Sequence, residues 1–169
     1  MLSAESLDLA GRVLVAYRRR GLRLATAESC TGGLLGAALT ALPGASDVLE
    51  RGFITYANTA KTDLLGVAPA LLDRAGAVSD AVARAMADGA LARAPVAATV
   101  AITGVAGPGG GSAEKPVGLV CFGLARQDGE TVGCRRIFEG DRAAIRAQSV
   151  DLALDLLLAA AGEGSWPAT

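Results

Sequence analysis

The sequence predicts a three-layer α/β/α single domain built on a mixed, mostly parallel sheet of about five strands. Segments of helical periodicity alternate with short extended runs along the whole chain, the pattern of an α/β layer architecture. One extended run, residues 96–103, is apolar almost without interruption, as a strand buried on both faces must be. The 169 residues suffice for one good core and too little for two, so residues 1–169 read as one domain.

Residues 3–20 form the first expected helix. Ser3 stands where an N-cap belongs, apolar side chains recur at Leu7, Ala10, Leu14 and Tyr17, and Gly21 supplies a stop. Residues 22–27 are a short extended run, and residues 31–42 keep a helical pattern despite Gly32 and Gly33 until Pro43-Gly44 ends it. A strand follows at 48–56, then helices at 58–65 and 69–75, each closed by a glycine. Ser79 caps a helix over 80–93 with Val82, Met86 and Ala90 on one face. Beyond the buried strand at 96–103, residues 104–118 make a loop rich in glycine and proline. Residues 119–125 and 131–138 read as antiparallel strands joined across Gln127-Asp128-Gly129, and a helix over 141–161 opens on an acid suited to its dipole.

Composition prunes the function classes. Sixteen Lys and Arg against seventeen Asp and Glu leave a net charge of −1, so no global field draws nucleic acid or an anionic membrane. The basic clusters at Arg18 to Arg20 and at Arg135 and Arg136 read as solvated helix ends or strand edges. Three cysteines, Cys30, Cys121 and Cys134, fit neither a disulfide framework nor a zinc ribbon. The first residues lack the basic start and apolar run of a signal peptide, no segment is apolar enough to span a membrane, and a reducing cytoplasm is the expected location. The mean hydropathy of +0.40 leads us to expect a homodimer. Above all, the chain contains no histidine. A Ser-His-Asp triad, a Cys-His dyad and a histidine-ligated zinc are excluded together. A general base must come from Asp, Glu, Lys, Tyr, Cys or the terminal amine.

Four segments carry candidate chemistry. In the first, Glu28-Ser29-Cys30-Thr31-Gly32-Gly33, an extended run meets a helix, and the junction holds an acid, two hydroxyls, a thiol and two glycines. Free N–H groups at a helix start, with glycines that admit close approach, suit a nucleophile or an anionic ligand. Ser29 as a simple cap would explain one hydroxyl. It would not explain two glycines in a first turn, each costing about 1 kcal/mol against alanine. In the second segment a strand ends in Tyr56-Ala57-Asn58, with Lys61 on the next helical turn. Lys61 and Lys115 are the only lysines, so fourteen of the sixteen basic residues are arginine. A surface cation would serve as either type, whereas a lysine that must lose its proton cannot be an arginine.

In the third segment the buried strand delivers Thr103 and Gly104 to the carboxyl edge of the sheet, where open α/β sheets bind ligands. The loop that follows, with Gly107, Gly110 and Lys115, could cradle a phosphate with its amides. It matches neither the phosphate-loop nor the dinucleotide pattern, and a plain surface loop would look similar. In the fourth, Arg142 follows Gly140-Asp141 with Arg146 one turn later, either gripping a phosphate or simply solvated.

Together these segments closely resemble the CinA C-terminal domain family. The resemblance runs from about Arg12 to Leu157 and rests on motifs in order: Thr26-Ala27-Glu28-Ser29-Cys30-Thr31-Gly32-Gly33, Gly52-Phe53-Ile54-Thr55-Tyr56-x-Asn58-x-x-Lys61, Leu65-Gly66-Val67, Gly76-Ala77-Val78-Ser79, Thr103-Gly104-Val105-Ala106-Gly107-Pro108-x-Gly110-Gly111, Lys115-Pro116-Val117-Gly118 and Gly140-Asp141-Arg142. It implies hydrolysis of the carboxamide of nicotinamide mononucleotide to nicotinic acid mononucleotide and ammonia, in pyridine-nucleotide recycling. By resemblance Ser29 is the nucleophile and Lys61 its base, with Tyr56 beside them as a third expected catalytic residue. The implied substrate contacts are Glu28, Cys30, Thr31, Gly32, Gly33, Asn58, Thr103, Gly104, Gly107, Gly110, Lys115 and Arg142. No metal or cofactor is implied.

In longer relatives this domain follows one with metal-dependent pyrophosphatase activity. The 169 residues contain no counterpart, and that activity is not carried over. One departure stands out: relatives often read Tyr-Ser-Asn where this chain has Tyr56-Ala57-Asn58, which removes a hydroxyl beside the expected base. An amide needs an activated nucleophile, an oxyanion site and a proton for departing ammonia. Without histidine, one desolvated lysine can act as base and then acid. Cys30 is the rival nucleophile, since a thiol at a helix start can have a lowered pKa. Two other readings remain beside the main one: a related amidase for another small amide, and a non-catalytic nucleotide-binding domain tied to competence or DNA damage.

Overall fold

In the computed structural model, which describes residues 2–163, each element expected from periodicity is present. The expected domain span 1–169 reaches beyond the described residues at both ends. The order is α1 (Ala4–Arg19), β1 (Leu24–Glu28), α2 (Leu34–Thr40), β2 (Leu49–Ile54), α3 (Asn58–Leu65), α4 (Pro69–Ala75), α5 (Asp80–Arg93), β3 (Ala98–Gly104), β4 (Leu119–Arg126), β5 (Val132–Ile137) and α6 (Arg142–Ala160), with a short 3-10 turn at Ala45–Asp47 before β2. Local chemistry sets many of the boundaries. The Ser3 hydroxyl accepts the N–H of Ser6, Ser79 that of Val82 and Asp141 that of Ala144.

The five strands pair in the order β2-β1-β3-β4-β5. Strand β1 runs parallel to both β2 and β3, and β4 runs antiparallel to both β3 and β5. Only β4 is reversed, so the sheet is mixed and mostly parallel. Helices α1, α2 and α6 cover one face; α3, α4 and α5 cover the other. The chain leaves β1 along one face through α2 and crosses back over it along the other. That makes the carboxyl ends of β1 and β3 the switch point, where a crevice opens.

The larger core lies under α1 and α6 and gathers Val13, Leu14, Val100, Ile102, Phe122, Leu154 and Leu157. The core under α5 is built largely of alanine around Met86 and Val82. With so few large side chains there, backbones come close. A Cβ on Gly123 of β4 would lie 2.3 Å from the Ala83 carbonyl oxygen of α5, and one on Gly89 would lie 2.0 Å from that of Leu65. Both positions therefore exclude any side chain.

One helix differs from its expected form. The pattern over 31–42 predicts a helix that includes Gly32 and Gly33, yet α2 begins at Leu34. Gly32 and Gly33 have φ of +59° and +95°, in the left-handed region that stops a right-handed helix and favours glycine. They turn the chain after Ser29. Neither is part of a first helical turn.

Candidate active site

Two ladders converge on Ser29. Its N–H bonds the Ile102 carbonyl of β3 at 2.9 Å, and the Thr55 N–H bonds the Glu28 carbonyl at 2.8 Å. The ends of β3, β1 and β2 are thus locked side by side at the crevice. Ser29 does not cap α2. That role falls to Glu28, buried beneath the turn. One of its carboxylate oxygens accepts the N–H groups of Gly33 and Leu35 at 2.9 and 3.1 Å, and the other accepts that of Gly36 at 2.9 Å. The acid at the strand end satisfies the free donors of the helix, which leaves the Ser29 hydroxyl available.

That hydroxyl meets Lys61. The Lys61 ammonium donates to Ser29 Oγ at 3.0 Å, to the Thr55 carbonyl at 2.9 Å and to the Tyr56 carbonyl at 3.4 Å. Lys61 is only 1% exposed and has no ion pair with a carboxylate among the described residues. Its burial lowers its pKa below the ordinary lysine range, and the neighbouring Cys30 opposes this in part. Cys30 itself behaves unlike a thiol at a helix start: burial pushes its pKa up to about 11. Among the described residues the N–H groups of Cys30 and Thr31 bond no other residue, whereas the Gly32 N–H is taken by the Ser29 carbonyl.

Ser29 and Lys61 open onto a cavity of about 210 Å³ that also meets Cys30, Tyr56, Asn58, Thr103, Gly104 and Arg142. A larger groove of about 640 Å³ adjoins it, shares Ala106 and Arg142, and runs past Gly107, Gly140 and Arg146. Arg142 bridges the two walls, donating to the Gly107 carbonyl at 2.9 Å and to the Tyr56 hydroxyl at 2.8 Å. Arg146 donates to the Thr31 carbonyl at 2.6 Å, and its buried Nε finds no partner. Among the described residues, no three Asp, Glu or Cys side chains gather as a metal site. No helix among them is long and apolar enough to cross a membrane.

The CinA C-terminal domain model matches residues 6–161. The chain belongs to this family. Among relatives of this CinA C-terminal domain, nicotinamide-nucleotide amidohydrolase PncC of Enterobacter agglomerans is 44% identical over 89% of the chain and 92% of its own length. A CinA-like protein of Mycobacterium marinum is 51% identical over 89% of the chain but only 35% of its own length, so the chain spans about a third of that longer relative. A solved competence/damage inducible protein of Agrobacterium tumefaciens superposes with a TM-score of 0.92 at 45% identity, covering 95% of this chain and 98% of its own.

Within this CinA C-terminal domain the expected residues divide into three groups. Ser29, Cys30, Tyr56, Asn58, Lys61, Thr103, Gly104 and Arg142 line the smaller cavity, and Gly107 lines the groove. Glu28, Thr31, Gly32 and Gly33 build the turn behind Ser29. Gly110 and Lys115 line neither space. Lys115 instead donates to the Ala75 carbonyl at 2.7 Å and ties the glycine-rich loop to the end of α4. The sequence gives no individual signal for Ala77, Val78 and Ala106, which line the cavity as small apolar surfaces, nor for the carbonyls that hold Lys61.

Proposed function

We propose that this chain hydrolyses the carboxamide of nicotinamide mononucleotide to nicotinic acid mononucleotide and ammonia, with Ser29 as nucleophile and Lys61 as its base. The 3.0 Å contact between Lys61 Nζ and Ser29 Oγ carries this reading. A neutral lysine amine has two N–H bonds and one lone pair. The Thr55 and Tyr56 carbonyls can only accept, so they take both N–H groups and leave the lone pair facing the Ser29 hydroxyl. Burial without a carboxylate partner favours that neutral form.

The hydroxyl proton passes to Nζ as Oγ bonds the carboxamide carbon. The N–H groups of Cys30 and Thr31, next to Ser29 along the chain, are the candidate donors to the developing oxyanion. The carbon–nitrogen bond then breaks, and Lys61 returns the proton to the leaving nitrogen, releasing ammonia. Water attacks the resulting Ser29 ester as Lys61 takes its proton. The ester bond breaks, Oγ regains the proton, and the acid departs. The pyridine ring suits the smaller cavity, and the ribose phosphate suits the groove beside Arg142 and Arg146. The name of the Enterobacter agglomerans relative supports the substrate. For assembly we propose a homodimer, since Ile54, Tyr56 and Leu64 expose apolar surface; a monomeric mass at all concentrations in sedimentation would refute it.

The decisive measurement is ammonia release from nicotinamide mononucleotide by the wild type, Ser29→Ala and Cys30→Ala. Activity in the wild type and Cys30→Ala, abolished in Ser29→Ala, is expected. Binding without ammonia release in the wild type would sink the amidase reading in favour of a regulatory nucleotide-binding domain. Activity confined to other amides would reassign the substrate.

A further inference from the structure

We infer that the pole of the sheet opposite Ser29 carries a second binding site, for a small molecule bearing a phosphate or carboxylate group. The site is a cavity of about 240 Å³ at the amino ends of β1 and β3, bordered by Tyr17, Arg20, Arg126, Gln127 and Asp128. Its volume suits a small metabolite or the anionic head of a larger one.

Tyr17 is 1% exposed, yet its hydroxyl has no hydrogen-bond partner among the described residues. A buried hydroxyl left unpaired is costly, so its retention beside a cavity points to a partner supplied from outside the chain. Arg20 and Arg126 also border this space; both side chains are exposed, and neither guanidinium forms an ion pair or a hydrogen bond within the described residues. The Arg126 charge reaches the Tyr17 phenol and opposes the upward push of burial on its ionisation.

Charge decides the ligand class. Two unpaired guanidiniums face one carboxylate, that of Asp128, so a cation is disfavoured. An apolar ligand would leave the Tyr17 hydroxyl unsatisfied. An oxyanion can accept from the guanidiniums and, once a small shift of the ring uncovers the sealed hydroxyl, from the Tyr17 phenol. The carbonyl ends of α1 and α6 also approach this pole, but the following turns cap them, through Leu22 N–H to the Tyr17 carbonyl and Glu163 N–H to that of Leu158. The inference does not depend on the proposed amidase activity, because its test reads binding.

The test is a backbone-amide NMR titration of the whole chain with inorganic phosphate, and separately with malonate. Saturable shifts are expected at Leu22, Ala98 and Gln127. Binding there should weaken at least about tenfold in the Arg20→Ala/Arg126→Ala double variant, and about tenfold in Tyr17→Phe, as loss of a hydrogen bond to a charged group implies. Shifts at Gly107 and Gly140 report the Arg142 groove separately and should survive both changes. A response to one anion only names the head group. No saturable shift at this pole with either anion, or shifts that all three substitutions leave unchanged, would overturn the site. Without anion, Tyr17→Phe should melt no lower than the wild type; a lower melting temperature would show that the hydroxyl already has a partner in the protein and would also overturn it.

Discussion

The two lysines of the chain make the same kind of contact in opposite surroundings. Each reaches across to a main-chain carbonyl near the end of another element: Lys61 to those of Thr55 and Tyr56, Lys115 to that of Ala75. Lys61 is fully buried and has a hydroxyl as its third neighbour, whereas Lys115 is half-buried at the edge of a loop. The first is held where its charge is costly and its lone pair has a target. The second stays hydrated and acts as a tether. Rarity marked both in the sequence; only desolvation separates a candidate base from a structural cation.

The largest effect that would sharpen this contrast is on Lys61. Lys61→Met and Lys61→Arg are each expected to lower kcat for ammonia release by a factor of about 10²–10⁴. Arginine should fail to rescue because it stays protonated. An active Lys61→Arg enzyme would break the assignment.

The pH dependence follows from the lowered Lys61 pKa. In the proposed mechanism the neutral amine is the working form, so activity should climb with pH through that lowered pKa and then level off below the ordinary lysine range. Stability has a matching sign. Between the folded and unfolded pKa values the unfolded chain holds more protons, so stability rises with pH across that interval and the burial cost is complete below it. Melting temperatures of the wild type against Lys61→Met across this range isolate the effect. A difference that does not change with pH would count against a desolvated amine.

Lys115→Met should have a smaller and different effect. It removes one hydrogen bond between the loop and α4, for a loss of about 1 kcal/mol in denaturant unfolding, with kcat unchanged. A large fall in kcat would place Lys115 in the chemistry after all. The smallest effect concerns Ala57, which stands at the N-cap of α3 with no side-chain bond. Ala57→Ser should stabilise the helix that carries Lys61 by about 1 kcal/mol, read as a higher unfolding midpoint.

Most of the fold was legible. Helices α3, α4 and α5 lie where glycine stops, Pro69 and the Ser79 cap place them, because such signals act within a few residues. The first helical turn of α2 was not, because the left-handed turn at Gly32 and Gly33 follows from the Glu28 carboxylate reaching forward over several residues. Periodicity cannot register that contact. In the same way Lys115 and Arg142 looked alike as cations near glycines. Arg142 faces both cavities, while Lys115 faces a helix end.

The sequence by itself determined the layer architecture, the absence of any histidine mechanism and the short list holding Ser29, Cys30 and Lys61. These depend on residue type and on neighbours close along the chain. Tertiary structure alone decided that Ser29 rather than Cys30 faces the lysine, and that Lys61 is dry. Glu28, not Ser29, caps α2 for the same kind of reason. The first two depend on strands β1, β2 and β3 meeting in register across more than seventy residues of chain, and the cap on a side chain reaching five to eight residues forward; burial and distance, rather than residue identity, set the chemistry.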